Sequence, residues 1–135
     1  MVSAVTFSSF RNIHLSDTDA AGVIYFAKGL TICHEAYEAW LDSLGLSIGQ
    51  MICDRVIALP IVHAEIDYLA PIQCGDRLEI RLALKEVKPT KFNVAYSIFS
   101  CANPDKLIAK AMTIHVCIDP QTRQRADLPN KILEA

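Results

Sequence analysis

Phe26-Ala27-Lys28-Gly29-Leu30-Thr31-Ile32-Cys33-His34-Glu35-Ala36-Tyr37-Glu38-Ala39-Trp40-Leu41-Asp42-Ser43-Leu44 is the stretch on which the fold turns. Phe26, Leu30, Cys33, Tyr37, Trp40 and Leu44 follow one another at intervals of 4, 3, 4, 3 and 4 residues. That spacing keeps them on one face of a 3.6-residue turn and predicts one long amphipathic helix. Gly45 follows as its stop signal. A helix with Trp and Tyr on its apolar face must be covered by another layer.

The remaining chain supplies strands. Val5, Phe7, Phe10, Ile13 and Leu15 read as a first strand over residues 5–15, and residues 16–22 as a Ser-, Asp- and Gly-marked loop. Residues 46–54 form a connector with room for a short helical turn. Beyond Val56 the period becomes two. Val62, Ala64, Ile66 and Tyr68 alternate with His63, Glu65, Asp67 and Leu69. After Pro71 and Gly75-Asp76, Leu78, Ile80, Leu82 and Leu84 alternate with charged residues, the cleanest half-buried strand in the chain. Pro89 marks the next turn. Phe92, Val94, Tyr96 and Ile98 form a further strand, turned by Asn103-Pro104-Asp105, and residues 107–118 the last. The tail from Pro120 is polar. Strand, long helix and four strands predict an α+β fold: a curved antiparallel sheet of about five strands wrapped around one helix.

At 135 residues the chain reads as a single domain over 1–135, able to bury roughly two-thirds of its unfolded surface. A hydrophobic fraction of 52% and a mean hydropathy of +0.26 are high for a small monomer. No apolar run reaches the ~18 residues of a membrane span, so the surplus points to contact with further subunits. Net charge is -2, and no basic stripe suggests nucleic acid. Met1-Val2-Ser3-Ala4 lacks the pattern of a secretory signal. The five cysteines contain no CxxC pair, which argues against zinc and for reduced thiols in the cytoplasm.

Asp17-Thr18-Asp19-Ala20-Ala21-Gly22 precedes the helix. A carboxylate there lies beside unpaired backbone N–H groups, a base or nucleophile next to a clamp for a carbonyl oxygen. Asp19 also suits an N-cap or Asx turn, and Asp17 suits a purely structural role still better. The DxD pair lacks a third ligand at useful spacing, which disfavours a metal. Gly45-Leu46-Ser47-Ile48-Gly49 matches G-x-S-x-G but follows a helix, whereas a nucleophile elbow follows a strand. His34-Glu35-Ala36-Tyr37-Glu38 lacks the second His of a zinc helix.

Asp17 through Phe26 preserve the spacing DxDxAGxxYF and resemble the signature of the 4-hydroxybenzoyl-CoA thioesterase family. Cys33 through Trp40, Ala58 through Ala64, Ala70-Pro71 and Cys74 through Leu78 bring the likeness nearer to one branch. That branch comprises the 1,4-dihydroxy-2-naphthoyl-CoA hydrolases of phylloquinone-making photosynthetic cells. The resemblance implies the hotdog fold and hydrolysis of an aromatic acyl-CoA thioester. It implies that Asp19 attacks the thioester carbonyl or activates a water, a choice the sequence leaves open. Backbone N–H groups around Tyr25 and Phe26 would receive the developing oxyanion, and Gly22 would let the backbone approach the substrate. His63 is a candidate contact to a ring hydroxyl, or else part of a polar face near a subunit boundary. Lys88 and Lys91, with Arg123 and Arg125, are candidates for the coenzyme A phosphates, although relatives carry a longer basic run at Lys88-Pro89-Thr90-Lys91. Glu35 is a fallback, since another branch uses a helix Glu. No cofactor is implied, coenzyme A being part of the substrate. The resemblance further implies dimers paired edge to edge, assembled as tetramers with active sites between subunits. Rival readings are a short- or medium-chain acyl-CoA or acyl carrier protein thioesterase, and a hotdog module that binds acyl ligands without turnover.

Overall fold

The computed structural model describes residues 7–135. Strand β1 (Phe7–Asn12) is followed by a 3-10 turn (Leu15–Asp17) and helix α1 (Lys28–Ser43). Helix α2 (Ile48–Asp54) leads to β2 (Ile61–Tyr68), β3 (Arg77–Lys88), β4 (Lys91–Ser100) and β5 (Asn103–Val116), and α3 (Asn130–Leu133) closes the chain. The five strands form one antiparallel sheet in the order β1-β3-β4-β5-β2. No helix among the described residues is long and apolar enough to cross a membrane.

The core lies between α1 and the inner face of the sheet. Leu78, Ile80 and Leu82 of β3 are buried with Phe92, Val94, Tyr96 and Ile98 of β4. The register sets Ile80 opposite Ile98, and Ile98 opposite Ala109 of β5; small alanines there and at 111 leave room for the helix. Helix α1 contributes Ile32, Cys33, Ala36, Tyr37, Trp40 and Leu41. Fully burying one large apolar side chain is worth ~1.5–3 kcal/mol, so this layer dominates the stability.

Several boundaries differ from the sequence reading. The first strand ends at Asn12, because Leu15 joins the 3-10 turn. Val5 and the segment 1–4, read as carrying no secretory signal, lie outside the described residues. Helix α1 starts at Lys28, so Phe26, expected on its apolar face, stands outside it and exposed. Its end follows the expectation: Gly45 has φ +79°, its N–H reaches the Asp42 carbonyl at 2.9 Å, and Leu46 N–H reaches Leu41 at 2.9 Å. These two bonds make a Schellman cap. Ser47, from the G-x-S-x-G match, is the N-cap of α2 and accepts the Gln50 N–H at 3.3 Å. The β4–β5 turn falls at Cys101-Ala102, and Asn103, Pro104 and Asp105 belong to β5. Pro104 is tolerated because the register slips there, between Ile98 and Ser100. The polar tail contains α3, anchored by buried Leu128 and Ile132.

Candidate active site

The segment between β1 and α1 folds back on itself as a narrow loop. Gly22, at φ +81°, makes the reversal, a conformation that an L side chain rarely adopts. A Cβ there would meet no atom within 4 Å, so the glycine answers to the turn rather than to close packing. The loop is closed by Asp19 N–H to Val23 carbonyl at 2.9 Å, Gly22 N–H to Asp19 carbonyl at 3.0 Å and Tyr25 N–H to Asp17 carbonyl at 2.8 Å. Ile24 N–H ties the loop to Ile72 at 2.8 Å.

The two carboxylates have separate roles. Asp17 is buried and ion-paired with Arg11, with Lys28 Nζ at 3.9 Å. It also accepts the His14 N–H at 2.9 Å. The Arg11 guanidinium holds its carboxyl below the usual carboxylate range, against the opposing effect of burial. Arg11 extends this network to Glu35 Oε1 at 3.1 Å, so the fallback residue Glu35 is engaged in a surface ion pair on α1.

Asp19 faces a cleft of about 510 Å³, lined also by Val23, Ile24, Phe26 and Tyr68 through Ile72. One carboxylate oxygen, Oδ1, accepts the Ala21 N–H at 2.9 Å in an Asx turn. The other makes no hydrogen bond among the described residues, so the local turn fixes the side chain while leaving an oxygen available to a ligand. Helix α1 begins only at Lys28, well beyond this turn, so Asp19 is not its N-cap. That position is Ala27, which has no side-chain cap.

The expected oxyanion donors separate. Tyr25 N–H is taken by Asp17, which removes it from that role. Phe26 N–H has no partner among the described residues, and Phe26 lines the cleft. The neighbouring turn is held by Tyr68, a residue that sequence reasoning passed over. Its hydroxyl donates to the Phe26 carbonyl. It packs on Gly29, where a Cβ would overlap the hydroxyl and come within 2.7 Å of Ile66 Cδ1. A glycine inside a helical pattern was the available signal.

The other candidates lie elsewhere. His63 is exposed on β2, with Nε2 2.8 Å from Glu65 Oε1, and does not line the Asp19 cleft. Lys88 and Lys91 flank the β3–β4 turn in register with each other. Lys88 borders a groove of about 370 Å³ with Asp127, Leu128 and Asn130. Arg125 reaches the same turn through Thr90 Oγ1 at 3.3 Å, whereas Arg123 occupies a left-handed turn position at φ 65°. Among the described residues no cluster of three His, Cys, Asp or Glu side chains could hold a metal ion.

A family model, the Thioesterase-like superfamily, matches residues 13–135, and the chain belongs to that superfamily. The 1,4-dihydroxy-2-naphthoyl-CoA hydrolase of Crocosphaera subtropica is 50% identical over 124 residues, covering 92% of this chain and 90% of its own. That of Synechococcus elongatus is 50% identical over 123 residues, covering 90% and 88%. The crystal structure of a 1,4-dihydroxy-2-naphthoyl-CoA thioesterase from Synechocystis superposes with a TM-score of 0.88 at 44% identity, covering 93% of this chain and 90% of that one. The sheet and helix described above are the hotdog fold of these thioesterases.

Proposed function

We propose that this protein hydrolyses 1,4-dihydroxy-2-naphthoyl-CoA to 1,4-dihydroxy-2-naphthoate and coenzyme A, a step of phylloquinone synthesis. The observation that carries the reading is the Asp19 carboxylate, held by its Asx turn at a cleft that Phe26 shares. The relatives' names supply the acyl group. The thioester carbon sits against the unpaired Asp19 oxygen, and its carbonyl oxygen takes the Phe26 N–H. One such donor typically lowers the barrier by roughly 3–4 kcal/mol.

Two routes use the same carboxylate. As nucleophile, Asp19 forms a C–O bond while the C–S bond breaks and the thiolate leaves, and water then cleaves the mixed anhydride. As general base, it takes a proton from the attacking water. Neither needs a metal or prosthetic group. Lys88 and Lys91 are the proposed contacts to the nucleotide phosphates, and His63 a contact to ring oxygen contributed at a subunit boundary. The exposed β2 edge supports an edge-to-edge dimer, and two such dimers a tetramer; the setting is the cytoplasm.

A panel of acyl-CoA thioesters tests the substrate. The aromatic dihydroxynaphthoyl ester is expected to give the highest kcat/KM; a flat or aliphatic-biased profile refutes the assignment. Asp19→Asn is expected to lower kcat at least ~100-fold with the fold intact, since it removes both possible roles. Unchanged turnover would exclude Asp19 from the chemistry.

A further inference from the structure

Asp17 stands at the foot of the loop that carries both groups of the proposed chemistry. Asp19 follows it by two residues. On the returning side of the loop the Asp17 carbonyl accepts the Tyr25 N–H at 2.8 Å. The next N–H along is that of Phe26, the proposed oxyanion donor. Between these points the loop is closed by Asp19 N–H to the Val23 carbonyl and by the bridge from Thr18 to Ile24. The reach from the Asp19 carboxylate to the Phe26 N–H therefore runs through Asp17.

The Asp17 side chain ties this loop to the sheet. Arg11 holds both of its oxygens, donating from Nη1 to Oδ2 and, at 3.3 Å, from Nη2 to Oδ1. Oδ2 also accepts the His14 N–H at 2.9 Å, and Lys28 Nζ lies 3.9 Å from Oδ1. Arg11 stands on β1 in register with Leu78 of β3, which is fully buried. Lys28 opens α1, and its N–H donates to the Tyr25 carbonyl at 2.8 Å. One carboxylate thus joins strand, loop and helix start.

The pair is also sheltered, with side-chain exposures of 21% for Arg11 and 3% for Asp17. Exposed ion pairs hold their geometry loosely. A sheltered guanidinium fork on two oxygens holds it tightly. Such a pair is weak evidence for stability, because neutral groups of similar volume often replace it without loss. A single specified conformation is what it supplies here. Catalysis depends on that conformation, since oxyanion donors act at about 2.7–3.1 Å and a misplacement of ~1 Å costs ~100-fold in rate.

We infer that Arg11 and Asp17 are a positioning pair, whose contact sets the reach between the Asp19 carboxylate and the Phe26 N–H so that both meet one thioester carbonyl. Neither residue lines the Asp19 cleft, so they act through the loop. This rests on the thioesterase reading above.

Variants of the pair test it, assayed at a temperature where circular dichroism shows each one folded. Wild-type hydrolysis of the dihydroxynaphthoyl ester is measured first; its absence defeats the thioesterase reading, and the inference with it. Arg11→Lys keeps the charge but replaces the fork by one ammonium, and should lower kcat about 10-fold with KM within twofold. Wild-type kcat in this variant would overturn the inference. Should Arg11→Lys fail to fold, the neutral pair Arg11→Met with Asp17→Asn carries the test. It should melt well above Asp17→Asn alone, yet stay at least ~10-fold down in kcat, because neutral replacement recovers stability but not the fork. Recovery of kcat together with the melting temperature, or a double variant that melts as low as Asp17→Asn, would leave the pair a scaffold role only and overturn the inference. Amide hydrogen exchange reads the same point without substrate. The Tyr25 N–H should exchange at least ~10-fold faster in the folded variant than in the wild type, with the amides of β4 unchanged. Equal Tyr25 exchange in both proteins would also overturn it.

Discussion

Asp17 is 2% exposed against Arg11, whereas Asp19, two residues on, is exposed at the rim of a cleft. The same side chain therefore serves stability at one position and, in the function proposed above, chemistry at the other. Asp17 has a folded-state pKa below its unfolded value. Its stabilising effect is therefore complete above the ordinary carboxylate range and is lost as pH falls through the depressed folded value. Asp17→Asn should cost about 2–4 kcal/mol at pH 7, because it leaves Arg11 without its buried partner. Urea titrations should also show a shallower loss of stability below about pH 4 than in the wild type. Equal stability of the two proteins at pH 7 would remove Asp17 from the scaffold. The DxD spacing was readable in the sequence, but which carboxylate is buried was not. That depends on Arg11, brought in from β1, and on Lys28 from α1.

At the scale of the element, α1 begins without a side-chain cap for its first N–H groups, and Tyr68 from β2 braces the residue before it instead, donating its hydroxyl to the Phe26 carbonyl. The apolar spacing marked the body of the helix and Gly45 its end. Its start was read two residues early, because Phe26 continues the apolar period while its side chain faces the cleft. Gly29→Ala tests the contact. Helix propensity favours Ala by roughly 1 kcal/mol, but the new methyl must displace the Tyr68 ring and Ile66. If the ring holds the Phe26 peptide in place, kcat should fall about 10-fold while KM stays within twofold and the melting temperature changes little. An unchanged kcat would show that the turn keeps its geometry without Tyr68.

On the scale of the whole molecule, β2 is the anomaly. Its sequence alternates as a half-buried strand should, yet in the single chain Val62 and Ala64 are exposed and only Ile66 is partly covered. Its outer edge is unpaired, the arrangement that invites another strand. Val62→Lys with Ala64→Lys would place two like charges on each copy, four in an antiparallel pair. Light scattering should then report a dimer or larger for the wild type and a monomer for the variant, with hydrolysis lost in parallel. A mass unaffected by the lysines would put the contact on another face.

The sequence by itself determined the long helix, the alternating strands, the antiparallel sheet they imply and the loop carrying Asp19, since all of these follow from periodicity and local turn chemistry. Only the tertiary structure decided that Asp17 is locked to Arg11, that Tyr25 N–H is spent on the loop, and that Tyr68 braces the helix start. It also decided that Tyr37 is buried with its hydroxyl unpaired among the described residues. Each of those contacts joins residues distant in the chain or depends on how a loop closes, and side-chain spacing along the chain carries no record of which backbone or side-chain group a fold will bring alongside.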